Sequence, residues 1–406
     1  MAPVPEPEPE SMPDPDTVAD DDHSHEPPPD EEYGVSPLEL FFDLVFVFAF
    51  TQVTSLLAVD LTGTGILRGI ALLLVVWWAW VGYSWLTNSV PVDDDIRSRI
   101  VVFAAMAAGL VMGLAIPQAF SGDGVLFGFA YLTVTLLFIL LYALSTRDNP
   151  EMNRAVLRIA PGVLAAPVLV AIAGFLEAGA VRGALWTLAL ILTTTAPLIS
   201  GTQGWHVRPA HFAERHGLII IIALGESIVA LGLAASEEPH TAAVVSASVF
   251  GMTVVAALWW LYFDVVALAA EKRLGRATGA ERNALARDSY SYLHVLMILG
   301  IVFLALGLKK CLLDVGEPLK LIPSAALFGG VALYLVGHIL FRLRNMGSVN
   351  VQRSVAAGLL VLAIPLGLVV PAYVSLTALV TLLVVLIAYE AVKFREVRHH
   401  LRHHAP

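Results

Sequence analysis

Long apolar runs separated by short polar connections occupy almost the whole chain after residue 37. Most runs are near the roughly 20 residues that a helix rising about 1.5 Å per residue needs to cross a bilayer. Their length and lack of strict alternation argue against a membrane β-barrel. The pattern predicts twelve membrane-crossing helices: 38–59, 66–87, 98–120, 123–145, 155–176, 182–201, 215–235, 241–268, 289–309, 320–341, 353–370 and 372–392. Pro371 divides the last two, either as a tight hairpin or as a kink in one longer helix. The expected fold is an all-α integral membrane protein.

Basic residues test the count, because they favour cytoplasmic connections. The connections after even-numbered spans, with the C-terminal tail, hold 19 of the 24 Lys and Arg residues. The other face holds only Arg68, Arg182, Lys309, Lys310 and Lys320. Both termini are therefore expected in the cytoplasm, and an odd number of spans would break the asymmetry. The halves also echo each other. Glu39 opens the first span and Glu214 stands 175 residues later at the seventh, while Trp77-Trp78-Ala79-Trp80 in the second span is matched by Trp259-Trp260-Leu261-Tyr262 in the eighth. Two six-helix repeats of the same orientation are expected, at 38–201 and 215–392, joined by a cytoplasmic connection at 202–214.

Composition adds the environment. Of the 406 residues, 57% are hydrophobic, and the mean hydropathy is +0.76, which sets the chain apart from soluble globular proteins. The formal charge of −10 belongs to one segment: residues 1–37 hold 12 acids and no Lys or Arg. This Pro- and acid-rich tail cannot bury enough apolar surface to fold alone and is read as disordered. It lacks the basic start of a signal peptide and precedes a full-length span, so it is expected to be retained. Residues 393–406 form a basic, His-rich tail suited to anionic lipid. Cys311 stands alone, which excludes an intrachain disulfide.

The chemistry is sought in acids that a bilayer should exclude, since even the gentlest insertion scales charge about 2.5 to 3.5 kcal/mol for an Asp at a helix centre. Glu39 and Asp43 are four residues apart in LELFFDLVFVFAF and share a helix face. Glu226, twelve residues past Glu214, is expected near mid-membrane, where it must be protonated, paired or turned to a wet cavity. Asp264 and His294 are expected near the cytoplasmic face with Glu214, Arg215, His216 and Asn88, together forming one polar cluster. Ser227 beside Glu226 and Arg99 after the acidic run 93–95 support the set. The competing reading makes Glu39, Glu214 and Arg215 interfacial residues that pair to fix helix register.

Other motifs point elsewhere. His206, His211 and His216 recur every five residues, which does not stack ligands on one helix face, so no metal site is expected. His338 is read as a hydrogen-bonded packing residue, and the tryptophans as packing or lipid-facing. The basic stretch 269–288 suits a short amphipathic helix on the membrane surface. No phosphate-binding loop, dinucleotide fingerprint or nucleophile elbow is present. The expectations are no enzyme, no cofactor and no nucleic acid.

LELFFDLVFVFAF at 38–50 and ERHGLIIIIALGESIVALG at 214–232 together resemble the paired signatures of the bacterial low temperature requirement A family. Thr87-Asn88 and Tyr290 to His294 extend the resemblance. It implies a multi-pass bacterial inner-membrane protein linked by name to growth in the cold. A fainter resemblance, of architecture only, is to two-repeat endolysosomal potassium channels: Phe41-Phe42-Asp43-Leu44 stands where they carry Phe-Ser-Asp-Gly. Two functions compete. One is a small-cation or proton-coupled transporter or channel whose path runs along Glu39, Asp43, Glu214, His216, Glu226, Asp264 and His294. The other is a non-transporting protein that senses or adjusts the bilayer.

Overall fold

The structure is a computed structural model that describes residues 34–395 apart from Pro91, Asp94 and Asp148. The acidic segment 1–33 and the tail 396–406 with its four histidines lie outside the described residues.

Among the described residues twelve helices are long and apolar enough to cross a membrane: α1 (Pro37–Val59), α2 (Gly63–Ser89), α3 (Ile96–Gln118), α4 (Gly124–Ser145), α5 (Pro150–Gly174), α6 (Ala180–Ile199), α7 (Pro209–Glu237), α8 (Ala242–Arg276), α9 (Gly279–Leu313), α10 (Leu321–Met346), α11 (Val351–Leu368) and α12 (Ala372–Lys393). Several start earlier than hydropathy alone suggests. Pro37, Pro150 and Pro209 occupy the first turns of α1, α5 and α7, where proline's fixed φ suits helix entry and its missing N–H costs nothing. Ser36 and Glu39 form a reciprocal capping box on α1, and Asn149 caps α5.

Two expectations are refined. The last two spans are separate helices, because α11 ends in a tight turn at Ile364–Leu368 and Pro371 caps the start of α12. Leu319 N–H donates to Gly367 O at 2.8 Å and Ala372 N–H to Glu317 O at 2.9 Å, fastening that corner to the α9–α10 connection. The eighth span does not run straight to residue 268. It breaks after Phe263, and a second segment, Val266–Arg276, carries Lys272, Arg273 and Arg276.

Contacts between chain ends sort the connections onto two faces. The face where α1 begins, here the proximal face, gathers the ends of even-numbered helices and the starts of odd ones: Asn88 with Arg208, Asn283 with Trp205, Arg344 with Asp288, and Asn350 with Glu390. On the distal face Arg182 donates to Ala119 O at 3.1 Å. The halves share neighbours: α1 packs on α2 and α3, α7 packs on α8 and α9, α2 meets α6, and α8 meets α12. Helices α1 and α7 also pack against each other.

Two π-helical segments interrupt the regular spans, Ala286–Leu293 in α9 and Ala325–Gly329 in α10. Such segments free backbone carbonyls for other donors and occur often at functional positions. Here Trp77 Nε1 donates to Ser291 O at 2.8 Å, and Trp85 Nε1 to the Ser291 hydroxyl at 2.9 Å, tying α2 to α9. Nearby, α9 and α10 approach through small residues: a Cβ on Gly300 would lie 2.6 Å from Gly330 O.

Candidate functional site

The matched four-residue spacings of α1 and α7 build the site. Glu39 and Asp43 project from one face of α1, and His211 and Arg215 from the facing side of α7, so the two pairs meet in register, each contact spanning 172 residues. Arg215 Nη2 donates to Asp43 Oδ1 at 2.8 Å, and Arg215 Nη1 lies 3.2 Å from Glu39 Oε1. Arg215 and Asp43 have no solvent exposure at all. Trp80 of α2 donates its Nε1–H to the same Asp43 Oδ1 at 2.9 Å, and its ring lies 5.9 Å from the guanidinium carbon.

Asn88, at the end of α2, sets the histidine. Its Oδ1 accepts from Arg208 N–H at 2.9 Å, which turns its Nδ2 to His211 Nδ1 at 3.1 Å. The amide donates, so in neutral His211 the ring proton sits on Nε2 and is given to Glu39 Oε2 at 3.0 Å. Arg208 adds bonds to the carbonyls of Asn88 and Thr87 at 2.7 and 2.9 Å. The cluster is a lock joining α1, α2 and α7 at the proximal face. It is not fully satisfied: Asp43 Oδ2 and Arg215 Nε, both buried, have no hydrogen-bond partner.

His216 lies next along α7, wholly buried against the rings of Trp77, Trp80, Phe212, Tyr290 and His294. Its Nδ1 donates to Phe212 O at 2.9 Å, and its Nε2 has no partner. His294 Nδ1 is bound to Ser289 O at 3.1 Å, and Tyr262 OH meets its Nε2 at 2.8 Å.

Farther into the same seam, Glu226 is eleven residues past Arg215 on α7, about 16 Å along the axis. Its carboxylate accepts from the Thr51 hydroxyl of α1. Thr54, one turn on from Thr51, donates its hydroxyl to Phe50 O at 3.1 Å. No ion pair to Glu226 occurs among the described residues. Ser227 Oγ reaches Ile301 O of α9 at 3.4 Å.

The single polar cluster expected from the sequence is thus divided. Glu39, Asp43, Arg215 and Asn88 come together, His216 and His294 form an adjoining aromatic pocket, and Glu226 and Ser227 lie deeper. Glu214 is exposed and accepts from Val35 N–H at 3.0 Å, just before the start of α1, outside the buried cluster. Arg99 is exposed and donates to Asp93 O at 2.7 Å. Asp264 lines a different cavity between α8, α10, α11 and α12.

His211, Trp80 and Thr51 were not singled out by sequence reasoning. His211 was considered only as one of three evenly spaced histidines, although its four-residue distance from Arg215 repeats that of Glu39 and Asp43. The tryptophans read as packing residues divide: Trp77 and Trp80 are buried hydrogen-bond donors, whereas Trp259 and Trp260 are exposed. Thr51 gave no signal, because a threonine is unremarkable in an apolar helix. No group of three or more metal-ligating side chains occurs among the described residues.

Comparison with known proteins places this arrangement. An uncharacterized protein of Rhizobium meliloti (strain 1021) is 30% identical over 315 residues, covering 74% of this chain and 75% of the relative. No solved structure matches. The bacterial low temperature requirement A protein family matches residues 34–388, a stretch that takes in both halves, the α1–α7 lock and Glu226. The chain belongs to the bacterial low temperature requirement A family.

Proposed function

We propose that this protein is a proton-coupled or small-cation transporter of the bacterial inner membrane, with its path along the α1–α7 seam. Glu226 carries the reading: a carboxylate deep in the membrane, held by the Thr51 hydroxyl and, among the described residues, by no ion pair. A residue kept only for packing would be replaced by an apolar one at lower cost, since isolated charge in a dry interior is unfavourable by several kcal/mol. The Thr51 hydroxyl can satisfy either the acid or its conjugate base, because a hydroxyl both donates and accepts. Toward the proximal face the seam continues through His216 Nε2 and Asp43 Oδ2, both lacking partners, before the Arg215 lock. In this reading the proximal face is the cytoplasmic one and the halves are two parallel-orientation repeats, a reading that the matching packing of α1 and α7 supports.

In this scheme Asp43 and Arg215 form a gate. When they are paired, the seam is closed at the proximal end; moving α1 against α7 exchanges that pair for contact with the permeating ion. Proteoliposome flux tests the reading. Proton, sodium and potassium fluxes are recorded for wild type and Glu226→Gln, with insertion checked by protease protection. Flux in wild type that is lost in Glu226→Gln supports the path. Equal, background-level flux in both sinks it for those ions and favours bilayer sensing, for which the basic segment Val266–Arg276 offers a membrane-surface element.

A further inference from the structure

A second buried charge cluster lies away from the seam. Arg353 of α11 grips Glu390 of α12 with both arms, Nε to Oε1 at 3.0 Å and Nη2 to Oε2 at 2.8 Å. Asn350 Nδ2 adds a third bond to Glu390 Oε1 at 3.0 Å. The remaining arm, Arg353 Nη1, donates to His338 Nδ1 of α10 at 3.0 Å. Arginine only donates, so His338 Nδ1 accepts and the ring proton sits on Nε2. That Nε2 has no partner, although His338 is 1% exposed.

These groups line a cavity of about 130 Å³ with Arg342, Asp264, Trp260 and Phe394. The space has room for several waters or one tetrahedral oxyanion. Arg342 Nε donates to Ser348 Oγ at 3.1 Å, and among the described residues its two terminal amino groups have no hydrogen-bond acceptor. The cavity therefore offers a forked cation and a buried N–H donor, while Glu390 is already satisfied by its three bonds.

We propose that this cavity binds a phosphate oxyanion at the proximal membrane face, supplied by the phosphodiester of a lipid headgroup. Two carboxylates in the wall, Asp264 and Glu390, oppose a multiply charged anion and favour a monoanion such as a phosphodiester. An open apolar groove between α11 and α12 supplies room for acyl chains. It begins at Val351 and Tyr389, the immediate chain neighbours of Asn350 and Glu390, and runs to Tyr373 at the other end of α12. The segment Val266–Arg276 starts at the cavity wall and ends in Lys272, Arg273 and Arg276, of which Arg273 is paired with Glu281, so its far end adds attraction to an anionic leaflet.

Thermal unfolding of the full chain in detergent tests the site with three probes: dioleoylphosphatidylglycerol in mixed micelles, a phosphate-free galactosyl diacylglycerol in the same micelles, and inorganic phosphate. A ligand specific for the folded state raises Tm with its occupancy. Phosphatidylglycerol should raise Tm saturably and the galactolipid should not. Arg342→Gln should raise the half-saturating concentration at least tenfold, Arg342→Lys should recover part of the loss, and Arg344→Gln, outside the cavity, should match wild type. Saturation by inorganic phosphate but not phosphatidylglycerol supports the oxyanion site and overturns its lipid source. No saturable shift with either phosphate probe, or the same half-saturation in wild type and Arg342→Gln, overturns the site.

Discussion

The two buried arginine clusters use the same residue types and differ in what surrounds them. At the α1–α7 seam, Arg215 holds Asp43 and Glu39, with His211 and Asn88 behind Glu39; at the α11–α12 corner, Arg353 holds Glu390, with Asn350 on the acid and His338 on the arginine. The seam cluster is sealed, with no solvent exposure at Arg215 or Asp43, whereas the corner cluster lines a cavity. Enclosure decides what each can do. A sealed ion pair has no water to replace a lost partner, so it suits a lock that either holds or rearranges as a unit. An ion pair beside a cavity keeps room for water or a ligand, so it can hold a binding group in place without being the whole site.

The largest effect is expected at Arg215. Arg215→Gln leaves Asp43 and Glu39 buried without a cation, and the expected loss of stability is about 3 to 5 kcal/mol, read as reduced folded yield and a lowered Tm. Adding Asp43→Asn should recover part of that loss; no recovery would mean that the two groups are not energetically paired. Arg353→Gln should cost less, about 1.5 to 3 kcal/mol, since water in the adjoining cavity can solvate Glu390. Equal losses at the two clusters in the same unfolding assay would remove the distinction between sealed and open.

Smaller effects sharpen it. Trp80→Phe removes the Nε1–H bond to Asp43 and replaces a fully buried indole with a smaller ring, so about 1 to 3 kcal/mol is expected from chemical denaturation. Arg344→Gln breaks an ion pair to Asp288 in which Arg344 is 38% exposed, and it should change stability by less than about 1 kcal/mol. Glu226→Gln should scarcely alter Tm, because the amide keeps a carbonyl oxygen for the Thr51 hydroxyl. Its effect belongs in the flux assay, and a large stability loss there would recast Glu226 as a structural residue.

Much of the fold was legible because membrane insertion is governed by local properties. Span length and hydropathy yield the twelve crossings, and proline and cap residues at Ser36, Asn149 and Pro209 account for helix starts that hydropathy places a few residues late. The candidate site was legible in part. Glu39, Asp43 and Glu226 declare themselves by the cost of acids in apolar surroundings, while their partners do not. His211 and Trp80 are ordinary residues for a membrane interface until α7 and α2 are brought beside α1. Glu214 shows the reverse: it looks equivalent to Glu39 in chain position, yet lies on the exposed side of α7.

Read along the chain, the amino acids already imply twelve membrane crossings, the helix ends that carry the basic connections, and the acids in need of partners. Each follows from free energies of transfer that a segment carries wherever it is placed. Helix packing in three dimensions decided which charges meet, because Glu39 and His211, or Arg353 and Glu390, are joined across many intervening residues. It also decided that one arginine cluster is closed and the other opens on a cavity. Enclosure belongs to the space between helices, and no stretch of sequence contains it.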